Sequence, residues 1–109
     1  MTASTMEVTD ANFDEIKARG VVLVEFWAEV CPLSRTQGRT VRRLAEAFIG
    51  QVKVGRAEVD DCPQLAVRLG VALLPTVIVY RNGQEIERLV DVQGESTLAS
   101  ALRRALQRG

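Results

Sequence analysis

The chain predicts an α/β domain in which a central mixed β-sheet of about five strands is flanked by about four helices. Three observations carry that expectation. Apolar, β-branched runs such as Val21 to Phe26 and Thr76 to Tyr80 alternate with segments of helical spacing. Strands joined through helices imply a parallel portion of the sheet. Asn82-Gly83, between two strand-like runs, marks a two-residue hairpin that adds antiparallel strands.

In chain order, Thr5 to Val8 reads as a short first strand. Thr9 to Glu15 opens a helix, with Asp10 as its cap and acids in the first turn, running to about Arg19-Gly20. Val21 to Phe26 is a buried strand. From Ser34 to Phe48, the residues Val41, Leu44, Ala45 and Phe48 recur at helical spacing, and Gly50 closes the helix. Gln51 to Val59 alternates as a strand, with an irregularity expected at Gly55-Arg56. Asp60-Asp61-Cys62-Pro63 begins a short helix that Gly70 ends. After the hairpin, Gln84 to Val90 is the partner strand. Glu95 to Leu106 puts Leu98, Ala101, Leu102, Ala105 and Leu106 on one helical face.

Composition narrows the function. At 109 residues the chain reads as one domain spanning 1–109, with 47% hydrophobic and 26% charged residues and a formal net charge of zero. No basic cluster interleaved with aromatics argues for nucleic acid, and the apolar runs are too short for a membrane span. The first residues show no basic-then-apolar leader pattern, so a cytoplasmic location with reduced thiols is expected. There is no histidine, which removes Cys-His and Ser-His-Asp catalysis and histidine-containing zinc sites. The two cysteines, Cys31 and Cys62, are distant in sequence, so a disulfide between them is not implied and a metal-carrier role has little to rest on.

The chemistry concentrates at Cys31, where a buried strand hands over to a helix. Backbone N–H groups and the helix dipole at such a junction stabilise a thiolate. Pro32 removes one nearby N–H. Three residues on, Ser34 stands where a second thiol would complete disulfide exchange.

The element order, together with Phe26-Trp27-Ala28 before Cys31, Asp60, Pro63-Gln64-Leu65-Ala66, Gly70-Val71, Leu74-Pro75-Thr76 and Asn82-Gly83, resembles the thioredoxin family over Ser4 to Leu106. The resemblance implies the thioredoxin fold and thiol–disulfide exchange on protein disulfides. It matches Cys31 to the attacking cysteine and Ser34 to the resolving one. It matches Leu74-Pro75 to a cis-proline bond facing the cysteine, Glu25 to a buried acid that assists proton transfer, and Trp27 to a tryptophan flanking the site. The site also departs from the family: Val30 replaces a second tryptophan, Pro32-Leu33 replaces Gly-Pro, Arg39 replaces a helix-kinking proline, and Asp91 replaces a glycine beside the substrate groove.

The implied partners are protein disulfides and an external thiol reductant, either a thioredoxin-reductase-like enzyme or glutathione. No cofactor or metal is expected, and the chain is expected to be monomeric. Without a second thiol, exchange through Cys31 stalls at the mixed disulfide or depends on outside help. Ser34 has three readings: natural monothiol chemistry, loss of redox function in an interaction module, or an engineered Cys-to-Ser form of a dithiol reductase. Its hydroxyl is a candidate donor to the Cys31 thiolate, or a helix-start cap.

Cys62 is either a secondary thiol or a packed apolar group. Glu25 is either a buried acid with a raised pKa or the partner of Arg35, Lys53 or Arg56. Val30, Pro32, Leu33, Leu74 and Val92 are expected to form an apolar docking patch beside Pro75, to which Asp91 adds a charge.

Overall fold

Seven residues rich in valine, Val21–Trp27, form β2, the central strand of a five-stranded sheet. The computed structural model describes residues 5–108; the leader pattern judged absent at residues 1–4 lies outside them. In chain order the elements are β1 (Met6–Glu7), α1 (Phe13–Lys17), β2, α2 (Pro32–Ala47), β3 (Val52–Glu58), α3 (Pro63–Leu69), β4 (Thr76–Arg81), β5 (Gln84–Val90) and α4 (Glu95–Gln107). The strand order is β1-β3-β2-β4-β5; β1, β3 and β2 run parallel, while β4 and β5 pair antiparallel.

Side chains alternate across a strand, and β2 sorts its residues accordingly. Val21 and Leu23 join Val41, Leu44, Leu98 and Leu102 in the core under α2 and α4. Val22, Val24 and Phe26 join Phe13, Leu65 and Tyr80 in the core under α1 and α3. Glu25 shares the parity of Val21 and Leu23, so its carboxylate is carried to the α2 face and into full burial.

Several expectations are corrected. Asp10 does not cap α1, which starts after Asn12 and stops at Lys17, short of Arg19. Its Oδ1 instead accepts from Leu65 N at 2.8 Å, in the first turn of α3. The N-cap position of α3 is Cys62, which makes no side-chain cap bond, so a distant aspartate satisfies an end its own segment leaves open. The ahead-of-helix turn is held by a reciprocal pair, Thr9 N to Asn12 Oδ1 at 2.8 Å and Asn12 N to Thr9 Oγ1 at 3.2 Å.

Nor is β3 irregular at Gly55-Arg56: its register with β2 runs unbroken from Val52 to Glu58. Gly55 is there for closeness, because a Cβ would fall 2.5 Å from Val8 Cγ2 on the β1 side. The register shift of the sheet lies between Val79 and Tyr80 instead. The hairpin is as expected, with Asn82 and Gly83 at φ 49° and 86°.

Since Asp10 caps α3 from across the core, Asp10→Ala is expected to cost about 1 kcal/mol of unfolding free energy. Urea denaturation, with Asp61→Ala as an exposed control, checks this.

Candidate functional site

The loop from Ala28 to Cys31 carries the chain from the end of β2 into α2. Cys31 N donates to Ala28 O at 3.0 Å, and Ser34 N donates to Cys31 O at 3.0 Å, which sets the first turn. Cys31 is the N-cap residue, with extended backbone (φ −96°, ψ 109°) and Pro32 at the first helical position. Proline suits that position because its missing N–H would have had no helical partner. The first turn contains no acidic side chain, so the positive end of the helix is left facing the half-buried thiol.

Cys31 Sγ lies 3.7 Å from Leu74 O, and the Leu74–Pro75 peptide bond is cis. Pro75 O accepts from Asp91 N at 2.9 Å. Asp91 holds a left-handed backbone, φ 74°, which aspartate tolerates better than most residues, and its Oδ1 accepts from Val92 N at 2.7 Å. Around this groove, Val30 is 86% exposed and Leu33 and Pro32 are also exposed, while Leu74 and Val92 are half-buried. Pro75 itself is buried. Exposed Leu73 extends the apolar surface beyond the residues anticipated.

Gln37 is a contributor that the sequence reading missed. Its fully buried amide pairs twice with the backbone of Gln93, donating to the carbonyl at 3.0 Å and accepting from the N–H at 2.8 Å. The segment that carries Asp91 and Val92 is thereby tied to α2. The available signal was a polar residue four positions before Val41, on the apolar stripe of the helix.

Beneath the loop, Glu25 faces Arg56 in direct cross-strand register, and Arg56 Nε donates to Glu25 Oε1 at 2.6 Å. Of the cations considered for Glu25, Arg56 wins by register; Lys53 instead donates to Ile16 O. The Arg56 guanidinium lies 4.5 Å from the centre of the Trp27 ring. Glu25 Oε2 is buried with no hydrogen-bond partner among the described residues. Burial pushes the Glu25 carboxyl above its usual range, against the lowering influence of Arg56 and Arg42. The two readings of Glu25 are therefore both realised in one residue.

Ser34 is buried, and its Oγ accepts from Ala28 N at 3.4 Å. The expected hydroxyl-to-thiol bond is replaced by this backbone contact; among the described residues no hydrogen bond joins Ser34 Oγ to Cys31 Sγ. Cys62 belongs to the α1/α3 core, with no exposed surface and its thiol donating to Glu58 O at 3.1 Å. Burial, then the nearby Asp10, Asp61 and Glu58, push that thiol up to about 11. This environment disfavours the thiolate and makes Cys62 a packing group. Both cysteines are free thiols. Among the described residues no cluster of three or more His, Cys, Asp or Glu could hold a metal ion, and no helix is long and apolar enough to cross a membrane.

The chain is similar to known proteins. The thioredoxin family model matches residues 4–104. The thioredoxin of Staphylococcus haemolyticus (strain JCSC1435) is 34% identical over 97 residues, covering 89% of this chain and 93% of that protein. The thioredoxin of Alicyclobacillus acidocaldarius subsp. acidocaldarius is 33% identical over 105 residues, covering 95% of this chain and all of that protein. The solved structure of the Malassezia sympodialis thioredoxin Mala s 13 superposes with a TM-score of 0.86, at 24% identity, over 95% of this chain and 92% of that one. That structure bears on the fold alone.

The site yields two predictions. Glu25 has a folded pKa above its usual 4.5, so its ionisation subtracts stability as pH rises from that value through the folded one. The stability of Glu25→Gln relative to the parent should therefore increase with pH above about 4.5, read from urea curves between acid and neutral pH. The second concerns the thiols. Iodoacetamide at neutral pH should alkylate Cys31 at least about tenfold faster than Cys62 until the chain is unfolded, as timed mass spectra would show.

Proposed function

The chain belongs to the thioredoxin family, and on that premise we propose that Cys31 performs its thiol–disulfide exchange as a monothiol. Exchange on protein disulfides is the general activity of the family. The observation that carries the finer reading is the pairing of a half-buried Cys31 at the head of α2 with a fully enclosed hydroxyl, Ser34, three residues on.

In the proposed reaction the Cys31 thiolate attacks one sulfur of a substrate disulfide. A Cys31–substrate disulfide forms, the substrate S–S bond breaks, and the other substrate sulfur leaves as a thiolate that takes up a proton. Ser34 cannot attack that mixed disulfide. Completion requires an external thiolate, from glutathione or a reductase-like partner, which attacks the substrate sulfur and releases Cys31.

The buried, high-pKa carboxyl of Glu25 supports a general acid–base role toward the site. The apolar rim of Val30, Pro32, Leu33 and Leu74 supports docking of an extended protein segment next to Pro75, with Trp27 flanking and Asp91 contributing a charge.

Intact mass after exposure to oxidised glutathione at neutral pH tests this reading. A single persistent glutathionyl adduct is expected in the parent and in Cys62→Ala, and none in Cys31→Ala. Ser34→Cys should discharge the adduct by forming an internal disulfide. An unmodified Cys31 in a folded chain would overturn the exchange reading in favour of an interaction module that binds partners through the groove.

A further inference from the structure

A cleft of about 490 Å³ opens beside Trp27 and is lined in part by Ala28 and Ser34 of the Cys31 loop, with neither Cys31 nor Leu74 among its lining residues. Its walls include Arg35, Arg39 and Arg42 of α2, Arg56 of β3, Trp27 and Glu29. We propose that this cleft is a binding site for a small oxyanion ligand, one presenting at least two anionic oxygens of phosphate or carboxylate type.

The first support is convergence. Positions 35, 39 and 42 share one helical stripe, and Arg56 reaches over from the sheet to meet it. At Gly38 of α2, a Cβ would fall 2.7 Å from Arg56 Nη2 and 3.6 Å from Arg42 Nη1. Two guanidinium groups thus close on one bare point of the helix, and a glycine inside a helix is tolerated there at a cost in helix propensity. Like charges repel at such range, and an anion between them removes that repulsion.

The second support is the contrast with the four arginines that form surface ion pairs. Arg43, Arg68, Arg88 and Arg104 each close on a carboxylate, Glu95, Asp14, Glu85 and Glu87 respectively. Among the described residues, Arg35 and Arg39 have neither an ion-pair nor a hydrogen-bond partner. Glu25 is engaged by Arg56, and Glu29 is the one carboxylate among the residues that line the cleft. The chain as a whole has no net charge, so this excess of cations is local. Planar guanidiniums match phosphate and carboxylate oxygens two at a time, and the volume suits a small metabolite.

The site needs no thiol chemistry, so its test is run in a Cys31→Ala background and stays separate from the exchange reading. Inorganic phosphate and S-methylglutathione, which carries carboxylates but no free thiol, would be titrated at constant ionic strength. Fluorescence of Trp27, the chain's single tryptophan and part of the cleft wall, reports occupancy.

A saturable response is expected to at least one probe, with a dissociation constant raised about tenfold or more in Arg39→Ala/Arg42→Ala and unchanged in Arg104→Ala. Arg39→Lys/Arg42→Lys, which keeps the charge and loses the planar fork, should fall between these values. Saturation by phosphate alone assigns a phosphate-bearing ligand, and by S-methylglutathione alone a carboxylate-bearing one. A response that does not saturate with either probe, or that survives the double alanine substitution unchanged, overturns the proposal.

Discussion

A carboxylate enclosed within a sheet has to be neutralised where it stands, and much of the local architecture answers that demand. Strand parity turns Glu25 inward, onto the face covered by α2, where it has no exposed surface. Its cross-strand neighbour on β3 is Arg56, and the 2.6 Å contact joins the two strands beneath the active loop. Removing one member of a buried pair of this kind costs about 3–5 kcal/mol, because the other charge is left uncompensated. Arg56 in turn needs space, which Gly38 provides by lacking a Cβ, and a flat neighbour, which Trp27 provides. One desolvated acid on β2 therefore constrains a residue on β3, one on α2 and the tryptophan at the end of its own strand.

The pair is incompletely balanced. Oε1 is satisfied by Arg56 while Oε2 has no partner, so burial outweighs ion pairing and the carboxyl is held above its usual range. Above Glu25, the helix N-terminus turns its positive end toward Cys31, with Pro32 directing the chain into the first turn. Across the groove, the Gln37 amide holds the Gln93 backbone, and Asp91 N holds the carbonyl of Pro75. The groove walls are thus fixed by buried polar contacts, while the apolar residues at its rim are free to meet a partner.

What was legible in the chain follows from the range of the forces involved. Periodicity and turn chemistry are local, so Gln84–Val90 and the Asn82-Gly83 hairpin were readable residue by residue, and α2 differed only at its ends, starting at Pro32 rather than Ser34 and stopping at Ala47 rather than Phe48. The positions of Cys31, Ser34 and Pro75 followed from motif order. Contacts closed by tertiary structure were not readable. Asp10 resembled a cap for the helix that follows it, yet its bond goes to Leu65, 55 residues away. Gly55 resembled a bulge, yet its reason is the side chain of Val8, just past the end of β1. Gln37 looked like one more polar helix residue until its stripe was aligned with Val41 and Leu44.

Ser34 is part of the packing of the loop. The side chain is 1% exposed, so whatever stands there must first satisfy packing and hydrogen bonding. A hydroxyl is close to a thiol in shape and is the better acceptor for Ala28 N. Serine therefore ties the first turn of α2 back to Ala28, with Cys31 held between them at the head of the helix. Cys62 offers no substitute, since its sulfur is enclosed in the opposite core and its thiol is pushed up to about 11. The two thiols thus differ in setting: Cys31 is half-buried at the head of α2, and Cys62 is enclosed in the core.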